Sequence, residues 1–241
     1  MTEQPSGHTY LDFNSPLSGS RAQDLIETLQ PLSGATVVDL GCGWAELLLR
    51  VVAAEPSARG IGVDIDLTAI ERGRANAESR GLGSRVRLDV DDATRWTGSA
   101  DVMVCIGAGH AWNGTRKLLE TVREHLRPGG KFLLGETFWE RPPTREALAA
   151  LDAEPGDFSS LPDLVDLAIA CGYRMLSLSV AGSDEWDSFE SRWCAGHEHW
   201  LLDHPDAPDA DEVRAFVDEH RNGWLRGYRG HLGFAYLTLV R

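Results

Sequence analysis

Several absences narrow what this chain can be. Its four cysteines, Cys42, Cys105, Cys171 and Cys194, are widely spaced and form no CxxC pair, so neither a disulfide framework nor a structural zinc site is expected. No apolar run approaches the ~20 residues of a membrane span. Basic residues are scarce: 23 Lys and Arg stand against 37 Asp and Glu, for a net charge of −14, with no basic cluster to offset it. Such a surface repels phosphate backbones and anionic membranes, which disfavours DNA, RNA and lipid surfaces as partners. The first residues lack a basic start followed by an apolar stretch, so no signal peptide is expected and the cytoplasm is the expected compartment.

What is present is an alternating pattern over 241 residues, enough chain for one large core. An amphipathic helix carrying Ala22, Leu25, Ile26 and Leu29 stops at Pro31, and an apolar strand follows from Thr36 to Leu40. Helices are predicted over 44–54, 67–80 and 114–126, and strands over 60–64, 85–90, 101–106 and 131–135. The repeated strand-helix units predict an α/β fold, a Rossmann-like doubly wound and mostly parallel sheet of seven strands with helices on both faces. Residues 1–19 form an N-terminal segment able to cap a cofactor, and 20–241 form one domain. A helical insertion over about 182–229 holds a helix from Trp186 to Leu202 and a second ending near Asn222-Gly223.

The informative segment is Val37-Val38-Asp39-Leu40-Gly41-Cys42-Gly43-Trp44, a buried strand running through Gly-x-Gly into a helix. Such glycines let a backbone turn tightly and approach a ligand. The next strand ends at Asp64, where a carboxylate can accept from ribose hydroxyls. A dinucleotide fingerprint would place its third glycine at position 46, which is Glu46, and a carboxylate at a helix start suits a pyrophosphate poorly. A cofactor without phosphates is therefore expected, with a nicotinamide-dependent oxidoreductase and a catalytically silent nucleoside-binding or scaffolding module as alternatives.

These residues resemble motif I of the class I S-adenosylmethionine-dependent methyltransferases. The resemblance extends to Asp91-Asp92-Ala93, similar to the family's acidic adenine motif, and to Arg127-Pro128-Gly129-Gly130-Lys131, similar to the turn before its fifth strand. It implies S-adenosyl-L-methionine as donor and S-adenosyl-L-homocysteine as product. By the same resemblance Asp39, Gly41 and Gly43 line the methionine part, Asp64 binds the ribose diol, Asp92 accepts from the adenine amine, and Ala93 and Ile106 complete the cofactor set. The stretches 107–112 and 135–143 resemble a bacterial branch related to cyclopropane-fatty-acyl-synthase-like methyltransferases.

On the acceptor side, His110 follows the fourth strand, where binding crevices of open α/β sheets lie, and imidazole as a side-chain type suits a general base near neutral pH. A hydrogen bond to loop backbone is the alternative. Glu136, at the exit of the fifth strand with Phe138 and Trp139, is the second catalytic candidate, with a salt bridge to Arg141 as its alternative. No Asn/Asp-Pro-Pro-aromatic motif, similar to that of nucleic-acid amino-methylating enzymes, occurs. A small-molecule acceptor is expected. Trp186, Phe189, Trp193 and Trp200 fall on one helix face, as core packing or as the wall of an acceptor pocket, and Trp224 and Tyr228 are similar candidates. His197-Glu198-His199 point different ways on a helix, so no metal is expected. Oligomeric state and the methylated atom are left open.

Overall fold

A computed structural model describes residues 5–241; the first four residues of the expected N-terminal segment lie outside it. The elements run α1 (Gly19–Thr28), β1 (Thr36–Leu40), α2 (Glu46–Ala54), β2 (Arg59–Asp64), α3 (Leu67–Ser79), β3 (Val86–Val90), β4 (Ala100–Ile106), α4 (Thr115–His125) and β5 (Leu126–Trp139). They continue with α5 (Arg145–Leu151), α6 (Leu161–Ala170), β6 (Arg174–Val180), α7 (Ser183–Asp203), α8 (Ala210–Asn222), a π-helical turn (Gly223–Tyr228) and β7 (Leu232–Val240). Short 3₁₀ turns follow β3 at Ala93–Arg95 and β4 at Gly109–Trp112.

The seven strands form one sheet in the order β3-β2-β1-β4-β5-β7-β6. β1 pairs in parallel with both β2 and β4, β2 with β3 and β4 with β5, while β6 and β7 run antiparallel. Central strands buried on both faces need continuous apolar runs. Val37, Val38 and Leu40 of β1, Val102–Cys105 of β4 and Phe132–Leu134 of β5 supply them, all buried. The chain leaves β3 and crosses to the far side of β1 to begin β4, so the carboxyl ends of β1 and β4 flank the topological switch point where open α/β sheets bind ligands.

β5 is longer than expected. Ala100 pairs with Leu126 and Val102 with Lys131, so residues 127–130 loop out of the ladder, which then resumes. The Pro-Gly-Gly turn interrupts the strand without starting it.

The chain divides into two compact units. The sheet unit comprises Ser18–Glu136, Pro162–Val180 and Phe234–Arg241; the helical unit comprises the described residues through Leu17, Thr137–Leu161 and Ala181–Gly233. In the helical unit the N-terminal segment is docked on α7. Leu11, Phe13 and Ser15 are buried, Arg192 binds Asp12 at 3.0 Å, and the Tyr10 ring lies 5.1 Å from that of His199. Two clusters form this unit's core. One gathers Trp139, Ala147, Trp224, Tyr228 and Leu232, with Trp186 packed against it; the other gathers Cys194, Trp200, Leu201, Ala210 and Val217, with Trp193 alongside. The aromatic face of α7 is thus largely packing. Phe138 and Trp139, read with Glu136 at the exit of the fifth strand, are core residues too: both are buried, and the Trp139 indole donates to the Pro155 carbonyl at 3.0 Å. Among the described residues no helix is long and apolar enough to cross a membrane.

Candidate active site

The site is built where β1 ends. Gly41 and Gly43 adopt φ of +73° and +53°, and Ala45, at +59°, holds the left-handed region at the N-cap of α2. The Gly41 and Cys42 amides donate to the Val63 carbonyl at 2.9 and 3.1 Å, which ties the turn to the end of β2. A Cβ on Gly41 would lie 2.4 Å from the Ala108 Cβ, so the loops after β1 and β4 touch at this point and only glycine fits. Gly41→Ala combines that overlap with left-handed strain. It should destabilise the protein by roughly 2–4 kcal/mol in denaturant melts and weaken binding of S-adenosylhomocysteine at least tenfold.

Asp64 and Asp66, indistinguishable as candidates by residue type, separate clearly. Asp66 caps α3, accepting from Thr68 and Ala69 amides at 2.8 and 3.1 Å. Asp64 turns to the glycine loop: Oδ2 accepts from the Gly43 amide at 2.7 Å and Oδ1 from the Asp66 amide at 2.9 Å. A carboxylate offers about four lone-pair sites, so two are left for a pair of hydroxyls. At the end of β3, Asp92 Oδ1 accepts from the Thr94 amide and hydroxyl at 2.9 and 2.6 Å. Those bonds hold its carboxyl below the usual range, keeping it ionised and leaving Oδ2 as an acceptor. Ala93 follows it in the 3₁₀ turn, which packs against the turn after β4, and Ile106 closes β4.

Asp39 lies beneath the loop, 4% exposed. Burial, with the Asp64 charge adding to it, pushes its carboxyl from 3.8 up to about 8. A cation brought beside such a group favours its ionised form. Burial and the same two aspartates also push the Cys42 thiol far up, so it is no nucleophile. The donor set fits a nucleoside carrying a cationic amino-acid tail: paired acceptors at Asp64, one acceptor at Asp92, and a buried carboxylate at Asp39.

Glu46 changes meaning. Its buried carboxylate binds Arg50 Nε at 2.7 Å and Arg80 Nη2 at 2.6 Å, so its charge is met by two guanidiniums and carries little weight against a phosphate-bearing ligand. The case against a dinucleotide rests on the missing third glycine and on the acceptor set.

His110 sits on the 3₁₀ turn after β4, exposed, with no hydrogen bond to its ring among the described residues. Glu136, partly buried, accepts from the Thr115 hydroxyl at 3.2 Å, and its Oε2 lies where a Cβ on Gly109 would fall, one residue before His110. The fold therefore brings the two catalytic candidates to neighbouring positions beside the switch point. Ala108, whose methyl seals the glycine loop, was invisible in the sequence, since an alanine in a Gly-Ala-Gly run carries no chemical signal. His197 and His199 are engaged elsewhere, by the Trp193 carbonyl and the Tyr10 ring, and no group of three or more metal-binding side chains occurs among the described residues.

Residues 38–132 match the model of a methyltransferase domain family. The chain is 29% identical over 232 residues to the uncharacterized protein YjhP of Escherichia coli (strain K12), covering 95% of this chain and 93% of that one. A methyltransferase from Geobacter sulfurreducens, described as S-adenosylmethionine-dependent and solved with S-adenosyl-L-homocysteine, superposes with a TM-score of 0.90 at 27% identity over 99% of both chains. The ribosomal protein L11 methyltransferase of Dechloromonas aromatica is 42% identical over 100 residues, 41% of this chain and 31% of that one. With the glycine loop, the three aspartates and these likenesses in place, the chain carries a methyltransferase domain, is similar over its length to S-adenosylmethionine-dependent methyltransferases, and is an enzyme that takes S-adenosylmethionine as its methyl donor.

Proposed function

We propose that the enzyme methylates a small-molecule acceptor. The observation that carries this reading is the net charge of −14, which opposes a nucleic acid. The likeness to the L11 methyltransferase spans less than half of this chain, so it supports a shared donor half and gives no support to a protein acceptor. Four free cysteines agree with a reducing compartment, and we assign the reaction to the cytoplasm.

In this reading Asp64 takes the ribose diol, Asp92 with Ala93 the adenine edge, and Ile106 a wall beside it. Asp39, Gly41 and Gly43 receive the methionine part. When bound, S-adenosylmethionine supplies a methyl group activated by its positive sulfur. What the protein adds is alignment and exclusion of water. His110, exposed on the turn after β4, accepts the proton that the acceptor's hydroxyl, amine or activated carbon must lose. Glu136, held by Thr115, orients that acceptor.

Incubating the enzyme with methyl-tritiated S-adenosylmethionine and a fractionated cell extract tests this. Label should enter the low-mass fraction, and His110→Ala should cut the rate at least a hundredfold with S-adenosylhomocysteine affinity unchanged. Label in protein or RNA would refute the acceptor class, and full turnover by His110→Ala would remove the base.

A further inference from the structure

Within the helical unit lies a second constellation that the donor chemistry does not use. Glu190 of α7 is 3% exposed, and such a buried carboxylate is costly unless each oxygen is met. Here Oε1 accepts from the Tyr228 hydroxyl at 2.7 Å, and Oε2 lies 2.7 Å from His220 Nε2. The His220 ring stacks on Trp193, centroids 3.8 Å apart and planes 24° from parallel. In the neutral tautomer whose Nε2 donates to the carboxylate, Nδ1 carries the lone pair. Tyr228 reaches Glu190 from the π-helical turn, a distortion of helical geometry that recurs at functional sites.

His220 and Tyr228 line a cleft of about 710 Å³. Ala149 and Leu151 of α5 and Phe216 of α8 give it an apolar side, and Glu219 adds a carboxylate. No Lys or Arg lines it. Of the guanidiniums near it, Arg221 is engaged by Glu198 and Asp218 and Arg229 by Asp187. A cleft with one carboxylate in its lining, another just behind His220, two aromatic rings and no cation favours a positive ligand.

We propose that this cleft is a binding site for a small organic amine, whose ammonium group donates to Nδ1 of His220 while its hydrocarbon body lies against Ala149, Leu151 and Phe216. The inference goes beyond the acceptor reading, because it concerns occupancy of a cleft within one unit and holds whether or not methyl transfer follows. Its test therefore reads binding alone.

Phenethylamine is titrated into the full-length enzyme carrying ring-labelled histidine, with 3-phenylpropan-1-ol and 3-phenylpropionate as neutral and anionic counterparts, and His220→Gln assigns the resonance. The amine should shift the His220 signals saturably with a dissociation constant below about 1 mM, with the alcohol at least tenfold weaker and the acid silent. Ala149→Trp, at an exposed position that leaves the Glu190 bonds intact, should weaken the amine at least tenfold. No saturable shift, an equal response to the acid, or unchanged affinity in Ala149→Trp would each overturn the proposal.

Discussion

Asp39→Asn should make the protein more stable at neutral pH and a poorer binder of its donor. In the folded chain the Asp39 carboxyl is raised from 3.8 to about 8 by burial and by Asp64. Between those values the folded chain keeps a proton that the unfolded chain has released, so raising the pH favours unfolding. The stability this group contributes is full below 3.8 and is lost as pH rises through about 8, at roughly 1.4 kcal/mol for each pH unit between them. Asparagine carries no such proton. Denaturant melts of the two proteins should agree near pH 4 and diverge progressively toward pH 8, with the variant ahead by several kcal/mol. Binding runs the other way. A sulfonium and an ammonium placed near Asp39 favour its ionised form, so wild-type affinity for S-adenosylmethionine should climb as pH approaches 8, with proton release in calorimetry below it. Asp39→Asn should lose both the climb and the proton. Equal pH profiles for the two proteins would show that Asp39 does not titrate as its burial implies.

Asp64→Ala should weaken S-adenosylhomocysteine binding at least tenfold, and more than any other single carboxylate removal in the site. Two effects add. The variant loses both acceptors proposed for the ribose diol, each a hydrogen bond to a charged group worth about 1.5–3 kcal/mol. It also frees the Gly43 amide, which Asp64 holds at 2.7 Å, so the loop loses one of its ties to β2. Asp64→Asn separates the contributions. It keeps one acceptor, and its amide faces a backbone N–H or a hydroxyl as a second donor, so its loss should be intermediate. Calorimetry across the three proteins checks the order, and unchanged affinity in Asp64→Ala would remove Asp64 from the donor site.

The donor was legible in the sequence because the signals for it are local. A buried run ending in Gly-x-Gly, and acidic residues at the ends of the next two strands, each declare themselves within a few positions. Asp66 is spent on the α3 cap, whereas Asp64 turns to the glycine loop. What local patterns missed are long-range contacts. Glu46 looked like a lone negative charge at a helix start because Arg80, 34 positions on, had no visible reason to meet it. Gly223 looked like a helix terminator. Instead it is helical at φ −58°, and a Cβ there or at Gly227 would fall 3.3 or 2.7 Å from the Ala150 methyl, so these glycines admit α5 at close range and the chain continues into the π-helical turn. The members of the cluster, Glu190, His220 and Tyr228, lie up to 38 positions apart without periodicity, and only the packing of α7, α8 and that turn assembles it.

The central claim is that the turn after β1 is a site for S-adenosylmethionine. Calorimetric titration of the wild-type enzyme with S-adenosylhomocysteine tests it most directly, with NADH titrated in parallel. The account predicts a saturable one-to-one isotherm for S-adenosylhomocysteine and no heat from NADH. Saturable binding of NADH, with no response to S-adenosylhomocysteine, would contradict it.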